Sequence, residues 1–412
     1  MNGCIFDMYS ELKFLRMKVL FMFLIVVSFQ TIAQSNVEEQ LQNTNTNSAP
    51  SISVQENDTI LKDLRETESV KGQSVKKNKS AIRSEAPVEI ESKSTSSAAA
   101  SSTFTTTRSA AVQSRTQRTP SAQYQQQMDM VVEQLESQAP ESFEYHFFKY
   151  QAGNYDVSLV DHLNKAEQLK PGNSDVHLQK AAYHFIMNEE SKVLTYLEKL
   201  VSSKRLGSDV LNYGKDLLLS APQNGVLVTH GSDDTYSVLY HQMKNSVRED
   251  VRIISLDLMQ SAKFREDLQK DNFTLPKREL IDVTYLAQFC QMNASKGLSL
   301  SLTFPKEYLV GISDRIYITG LVFVYTTDNR FNNFDRNDEL WNSVLEKKAT
   351  SEVYTEKAKQ LSANYLPMLL LLSQVYGDLN ETAKKNSVDE EIDRISVQCN
   401  KYEQVRQIKS SY

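Results

Sequence analysis

Residues 224–259 constrain the fold of this chain more than any other stretch. The segment NGVLVTHGSDDTYSVLYHQMKNSVREDVRIISLDLM opens on Gly225 to Thr229, a short, apolar, β-branched run. Such a run suits a strand buried on both faces. An acidic turn follows. Val238, Leu239 and Met243 then mark the inner face of a helix starting near Asp233. Asp250 to Asp257 returns as a second strand. Strand, helix and strand in this order form a βαβ unit, which implies parallel pairing and a right-handed crossover. Ligands of such sheets bind outside the carboxyl ends of the strands. The loop His230-Gly231-Ser232-Asp233-Asp234 is therefore the first place to look for a site.

The alternation continues. Ser261 to Lys270 and Glu279 to Asn293 read as helices, Leu298 to Phe304 as a third strand and Leu321 to Thr327 as a fourth. The predicted class is α/β plus all-α. A small, mostly parallel, Rossmann-like sheet over 223–328 carries helices on both faces. Thr229 to Asp234, Asp257 and Phe304 to Lys306 then share one edge of the sheet.

Residues 124–222 read as helical hairpins. Met128, Val131, Val132 and Leu135 share a helix face. The following segment resembles a tetratricopeptide unit in Tyr150, the turn Gly153-Asn154-Tyr155, Leu159, Leu163, Ala166 and Pro171. A second unit follows 34 residues on, pairing Phe147 with Ala181, Leu159 with Val193, Leu163 with Leu197 and Ala166 with Leu200. The resemblance implies a concave face offered to a protein partner. The competing reading is that two hairpins only support the next domain.

The N-terminal region has a different character. Lys13, Arg16 and Lys18 precede the apolar run Val19 to Val27, and Thr31-Ile32-Ala33 follows. This is the pattern of a secretory signal peptide over 1–33, cleaved near Ala33. The run is too short to span a bilayer, and no later segment is apolar enough, so no membrane span is expected in the mature chain. The expected location is the periplasm or the cell surface. Residues 34–123 are rich in Ser, Thr, Asn and Gln, with too few large apolar side chains to offset the entropy of ordering, and read as a disordered tether.

Residues 329–412 read as a C-terminal helical hairpin region. Leu366 to Leu372 forms a buried helix beside Pro367. Glu390 to Ile408 forms one amphipathic helix with Ile392, Ile395, Val397 and Val405 facing inward. Trp341 anchors a further helix. Cys290 and Cys399 have the alternative of pairing in an oxidising compartment, but the favoured expectation is two free thiols, because a core this large needs no staple. The formal net charge of −6 and the lack of a basic stripe argue against nucleic acid.

Residues 208–407 resemble the soluble C-terminal part of large multi-pass bacterial membrane proteins. Those are themselves similar to protein O-mannosyltransferases of the GT-C glycosyltransferase class. The resemblance rests on the Gly-x-x-Asp-Thr turn after the first strand, here Gly231, Asp234 and Thr235, with Tyr236 behind it. Arg248, Asp250, Val251 and Arg252 match the approach to the second strand. It implies kinship of fold. It does not carry over sugar transfer, because the membrane-embedded part with that family's presumed catalytic acid has no counterpart in this sequence.

The candidate ligand-binding residues are Thr229, His230, Ser232, Asp233, Asp234 and Asp257. Among His230, Asp233, Asp234 and His241, the two aspartates have the oxygens and His230 the nitrogen to hold a divalent cation, while His241, two turns along the helix, is too far to share it. The competing reading gives Ser232 the N-cap, with the acidic pair opposing the helix dipole. No Gly-x-Gly-x-x-Gly or Gly-x-Ser-x-Gly occurs, so neither a phosphate cradle nor a serine nucleophile is expected. No cofactor is predicted. The expectation is an exported, non-catalytic interaction protein. Its alternative is a small-molecule or glycan-binding module using loop 230–236, with or without a cation.

Overall fold

The computed structural model describes residues 88–113, 117–328, 331–351 and 353–411. The predicted signal peptide and residues 34–87 of the predicted tether lie outside them. Every contact below falls within the unit that takes in Ser97–Tyr412.

Helix α1 spans Val88–Gln113, where composition argued against order. Ala100, Phe104 and Ala111, spaced by four and seven, are all buried. Phe104 stacks on Phe148 at 4.2 Å and 7°. Arg108 Nη1 donates to the Gln151 carbonyl at 2.6 Å. A sparse apolar stripe suffices here because a preformed partner completes the burial.

The helical region follows with α2 (Ala122–Gln138), α3 (Phe143–Ala152), α4 (Val160–Leu169), α5 (Ser174–Ile186), α6 (Glu190–Ser202) and α7 (Ser208–Ser220). The four expected inner residues of α2 are buried. Helices α3 and α4 pack as one hairpin, α5 and α6 as the next. Leu163, Leu197, Ala166 and Leu200, matched by the repeat spacing, are fully buried. Ser142 and Asn173 cap α3 and α5 with side-chain oxygens.

The sheet has five strands: β1 (Val226–Thr229), β2 (Arg252–Ser255), β3 (Leu298–Ser301), β4 (Ile316–Thr319) and β5 (Val322–Tyr325). Their order is β2-β1-β3-β5-β4. Strand β1 pairs in parallel with β2 (Val226 opposite Arg252) and with β3 (Val226 opposite Leu298). Strand β5 is antiparallel to both β3 and β4. The sheet is therefore mixed, not mostly parallel. The predicted fourth strand is present as β5 but runs the other way, because β4 precedes it across the two residues Gly320 and Leu321. So short a connection permits only an antiparallel hairpin and demands positive φ in its turn. Gly320 supplies it at φ +59°.

Helix α8 (Gly231–Asn245) joins β1 to β2. Helices α9 (Ala262–Lys270) and α10 (Val283–Met292) join β2 to β3. The chain steps one way from β1 and returns past it. The right-handed rule then places α8 and α10 on opposite faces and opens a crevice at the carboxyl ends of β1 and β3.

Helix α8 lies close against α7. A Cβ on Gly214 would stand 2.1 Å from Ser237 Oγ and 2.4 Å from Ser237 Cβ. Gly214→Ala is therefore expected to destabilise the chain by about 1–3 kcal/mol through overpacking. Adding Ser237→Gly should restore part of the loss. Denaturant titration of the single and double variants checks this; no relief in the double variant would mean that close approach is not the cause.

After β3 comes the short α11 (Lys306–Leu309). The C-terminal part holds α12 (Phe334–Glu339), α13 (Lys348–Ser351), α14 (Glu356–Ala363), α15 (Leu366–Asp378), α16 (Thr382–Gln398) and α17 (Tyr402–Lys409). A π-helical turn over Leu340–Val344 extends α12 and buries Trp341. Pro367 sits in the first turn of α15, where its missing N–H is harmless. The single final helix expected from sequence is two, parted at Asn400 with φ +57°. Ile392, Ile395 and Val405 face inward, but Val397 is 60% exposed. Cys290 and Cys399 form no disulfide.

Candidate functional site

Thr229 ends β1 with its side chain fully buried. Its Oγ1 lies 2.8 Å from Thr235 Oγ1. Thr235 Oγ1 donates to the Gly231 carbonyl at 2.8 Å and approaches Ser255 Oγ at 3.2 Å. These hydroxyls fix the turn between β1 and α8 against β2. Gly231 has φ +79°, a left-handed conformation costly for other residues. Its N–H donates to Asp257 Oδ2 at 2.7 Å. A carboxylate at a helix N-terminus is favoured by orphan donors and the dipole alike.

The N-cap of α8 is therefore His230, not Ser232, and no side chain of its own caps the helix. Ser232 lies within the first turn. Asp257, reaching across from the end of β2, takes the capping role. A carboxylate distant in sequence out-competes a hydroxyl beside the turn because Gly231 aims its N–H toward β2.

The two aspartates of the turn part company. Asp233 faces outward, with Lys357 Nζ at 2.7 Å from Oδ2 and Arg205 Nη1 at 3.4 Å from Oδ1. Burial pushes its carboxyl up, but Lys357 and Arg205 outweigh this and hold it below the usual range. Asp234 faces inward and is 4% exposed. Thr303 Oγ1 donates to Asp234 Oδ2, closing the gap between α8 and the chain beyond β3. Burial raises the Asp234 carboxyl to about 6, against the pull of the Ser301 and Thr303 hydroxyls.

His230 points into the crevice, its ring 5.1 Å from that of Phe304 and 6.1 Å from that of Tyr308. Burial, then the nearby Arg118 charge, lowers it to about 3, so the imidazole is neutral at physiological pH. Arg118 is the residue that sequence reasoning missed. Its guanidinium lies 3.5 Å from Asp257 Oδ1 and 5.7 Å from the centre of the Tyr308 ring. It is only 7% exposed. Burial drives the Asp257 carboxyl up, while Arg118, His230 and the Gly231 N–H more than offset that and keep it ionised.

Thr229, His230 and Asp257 thus gather around the Gly231 turn, while Asp234 turns to Thr303 and Asp233 to Lys357 and Arg205. Of the four residues with atoms for a cation, His241 is far away in the fold, with Nε2 2.8 Å from the Leu211 carbonyl. Among the described residues, no group of three or more His, Cys, Asp or Glu could hold a metal ion. Asp233→Ala is expected to cost about 1 kcal/mol or less, since its partners are partly exposed. Thermal melts at low and high salt check this; a loss several times larger would show the pairing to be structural.

A cleft of about 340 Å³ opens at the opposite edge of the sheet, lined by Asn224, Asp250, Arg252, Asp271, Phe273 and Lys296. Its charges answer one another. Arg252 Nη2 meets Asp271 at 2.7 Å, and Lys296 Nζ sits 4.6 Å over the Phe273 ring. Arg248 forks onto Asp250 at 2.8 and 2.9 Å and reaches the carbonyls of Ala221 and Pro222. That fork holds the Asp250 carboxyl at about 2.

Both family-like motifs therefore act as clasps. Gly231-x-x-Asp234-Thr235 locks α8 to β2 and β3, and Arg248-x-Asp250 locks the entry of β2 to the end of α7. Residues 210–407 match the family model TMEM260-associated domain 2. The match takes in the sheet, α8 to α16 and most of α17, and leaves out the hairpins α3 to α6. It is consistent with kinship to the tail of a TMEM260-like membrane protein. Among the described residues no helix is long and apolar enough to cross a membrane. Comparison with curated proteins and with solved structures gives no match.

Proposed function

We propose that this chain is an exported, non-catalytic interaction protein of the bacterial envelope. In this reading the tetratricopeptide-like hairpins and a degenerate Rossmann-like module present a surface to a protein partner. The signal peptide over 1–33 and its cleavage near Ala33 belong to the same proposal. The supporting observation is the occupied state of the carboxyl-edge crevice. Asp257 is engaged by Gly231 and Arg118, Asp234 by Thr303, and Asp233 by Lys357 and Arg205. Each of these carboxylates already has a partner, and the one imidazole present stays neutral.

The test uses the full mature chain, immobilised against a detergent-solubilised envelope fraction. Retention of one defined protein, lost on denaturing the chain, is expected. In parallel, a panel of sugars, nucleotides and divalent cations is expected to leave the melting temperature unchanged. A ligand that raises it, with Asp233→Ala plus Asp234→Ala abolishing the rise, would overturn the proposal in favour of a small-molecule module.

A further inference from the structure

The segment that fills the crevice is held as a ligand would be held. Arg118 N donates to the Ile281 carbonyl at 2.6 Å, and Ile281 N donates to Thr119 Oγ1 at 3.1 Å. Gln117 and Asp282 form an antiparallel bridge. Main-chain pairing with an extended segment, plus one side chain anchored in a pocket, is the arrangement of strand addition to a sheet-like edge. The anchor pocket is built from Asp257, Tyr308 and His230. It offers a buried carboxylate and an aromatic face, the two surfaces a guanidinium prefers.

The fit is incomplete. The guanidinium meets Asp257 at 3.5 Å, longer than a good charge-assisted bond. Arg118 Nε and His230 Nε2 are buried without hydrogen-bond partners. A buried guanidinium nitrogen without a partner calls for an explanation beyond packing. A better-seated arginine could meet these atoms.

We infer that the crevice at the carboxyl ends of β1 and β3 is a binding site for an extended, arginine-bearing peptide segment, and that residues 117–120 are its displaceable ligand in cis. This deepens the proposed interaction role and rests on it only in taking the bound class to be protein. The strap holds the site closed until a segment of the same chemistry competes.

The probe is a labelled peptide of residues 117–124, added to the full chain and read by fluorescence anisotropy. Tethered ligands act at an effective concentration of about millimolar, so the wild-type chain is expected to bind the peptide weakly. Arg118→Ala, which empties the pocket, is expected to bind it about tenfold or more tightly than wild type. The peptide with Ala in place of its arginine should not bind, and adding Asp257→Asn to the Arg118→Ala chain should abolish binding. A folded Arg118→Ala chain that ignores the peptide overturns the inference while leaving the wider interaction role standing. Arg118→Gln serves as the gentler variant under the same criterion. If neither variant folds, the strap is a fixed part of the core and the inference is lost.

Discussion

Asp216→Ala is expected to destabilise the chain by about 3–5 kcal/mol, the cost of stripping the acceptor from several buried donors at once. Asp216 sits on α7 with no exposed surface. Its Oδ1 accepts from the Glu346 N–H at 2.8 Å, and its Oδ2 from the Lys347 N–H at 2.9 Å. The Tyr365 hydroxyl donates to Oδ2 at 2.6 Å. One carboxylate thus ties α7 to the chain before α13 and to the entry of α15. Burial raises its pKa against these hydrogen bonds. Asp216→Asn keeps one acceptor oxygen and is expected to lose only part of that stability. Guanidinium unfolding should show a lowered midpoint with an unchanged slope. A loss below about 1 kcal/mol for the alanine variant would show that water replaces the carboxylate, and the clasp would then carry little of the stability.

How far the sequence foretold this follows from where the information lies. The β1–α8–β2 unit was legible because its strands are short apolar runs and its turn is marked by Gly231. The hairpins were legible because Leu163 and Leu197, or Ala166 and Leu200, repeat at one period. Strand β4 was not. Ile316-Tyr317-Ile318-Thr319 is only four residues long and adjoins Gly320, so the alternation of strands and helices concealed a two-residue hairpin. Sheet direction went wrong with it.

The site was legible only in its local part. Thr229, His230, Asp234 and Asp257 lie at strand ends, where topology alone places them. Arg118 lay in a Ser/Thr-rich stretch whose composition spoke against order. The signal available there was spacing: Ala100, Phe104 and Ala111 recur at helical intervals in a segment otherwise poor in large apolar side chains. Ser232 was given the cap because local hydroxyls usually take that role. Asp257 takes it instead, through a contact spanning 26 residues.

The turn after β1 also carries two opposed pH dependences, and variants should separate them. Asp234 has an ordinary value of 3.8 and is raised to about 6 in the fold. Between those values the unfolded chain has released its proton while the folded chain retains it, so this group makes stability fall as pH rises through about 4 to 6. The gap of about two pH units corresponds to about 3 kcal/mol. His230 works the other way. Its ordinary value of 6.5 drops to about 3 on folding. The unfolded chain gains a proton first as the pH falls below 6.5, so this group makes stability fall with falling pH. In the wild-type chain the two slopes oppose each other over pH 4 to 6. Asp234→Asn keeps an acceptor for Thr303 and removes only the first slope. Its stability relative to wild type should therefore climb by about 3 kcal/mol between pH 4 and 6.5 and then level off. His230→Gln removes the second slope, and its relative stability should climb as the pH is lowered over the same range. Denaturant midpoints at four pH values for the three proteins read both differences, and carboxylates elsewhere cancel in the comparison. A pH-independent difference for Asp234→Asn would mean that water reaches the carboxylate beside Thr303.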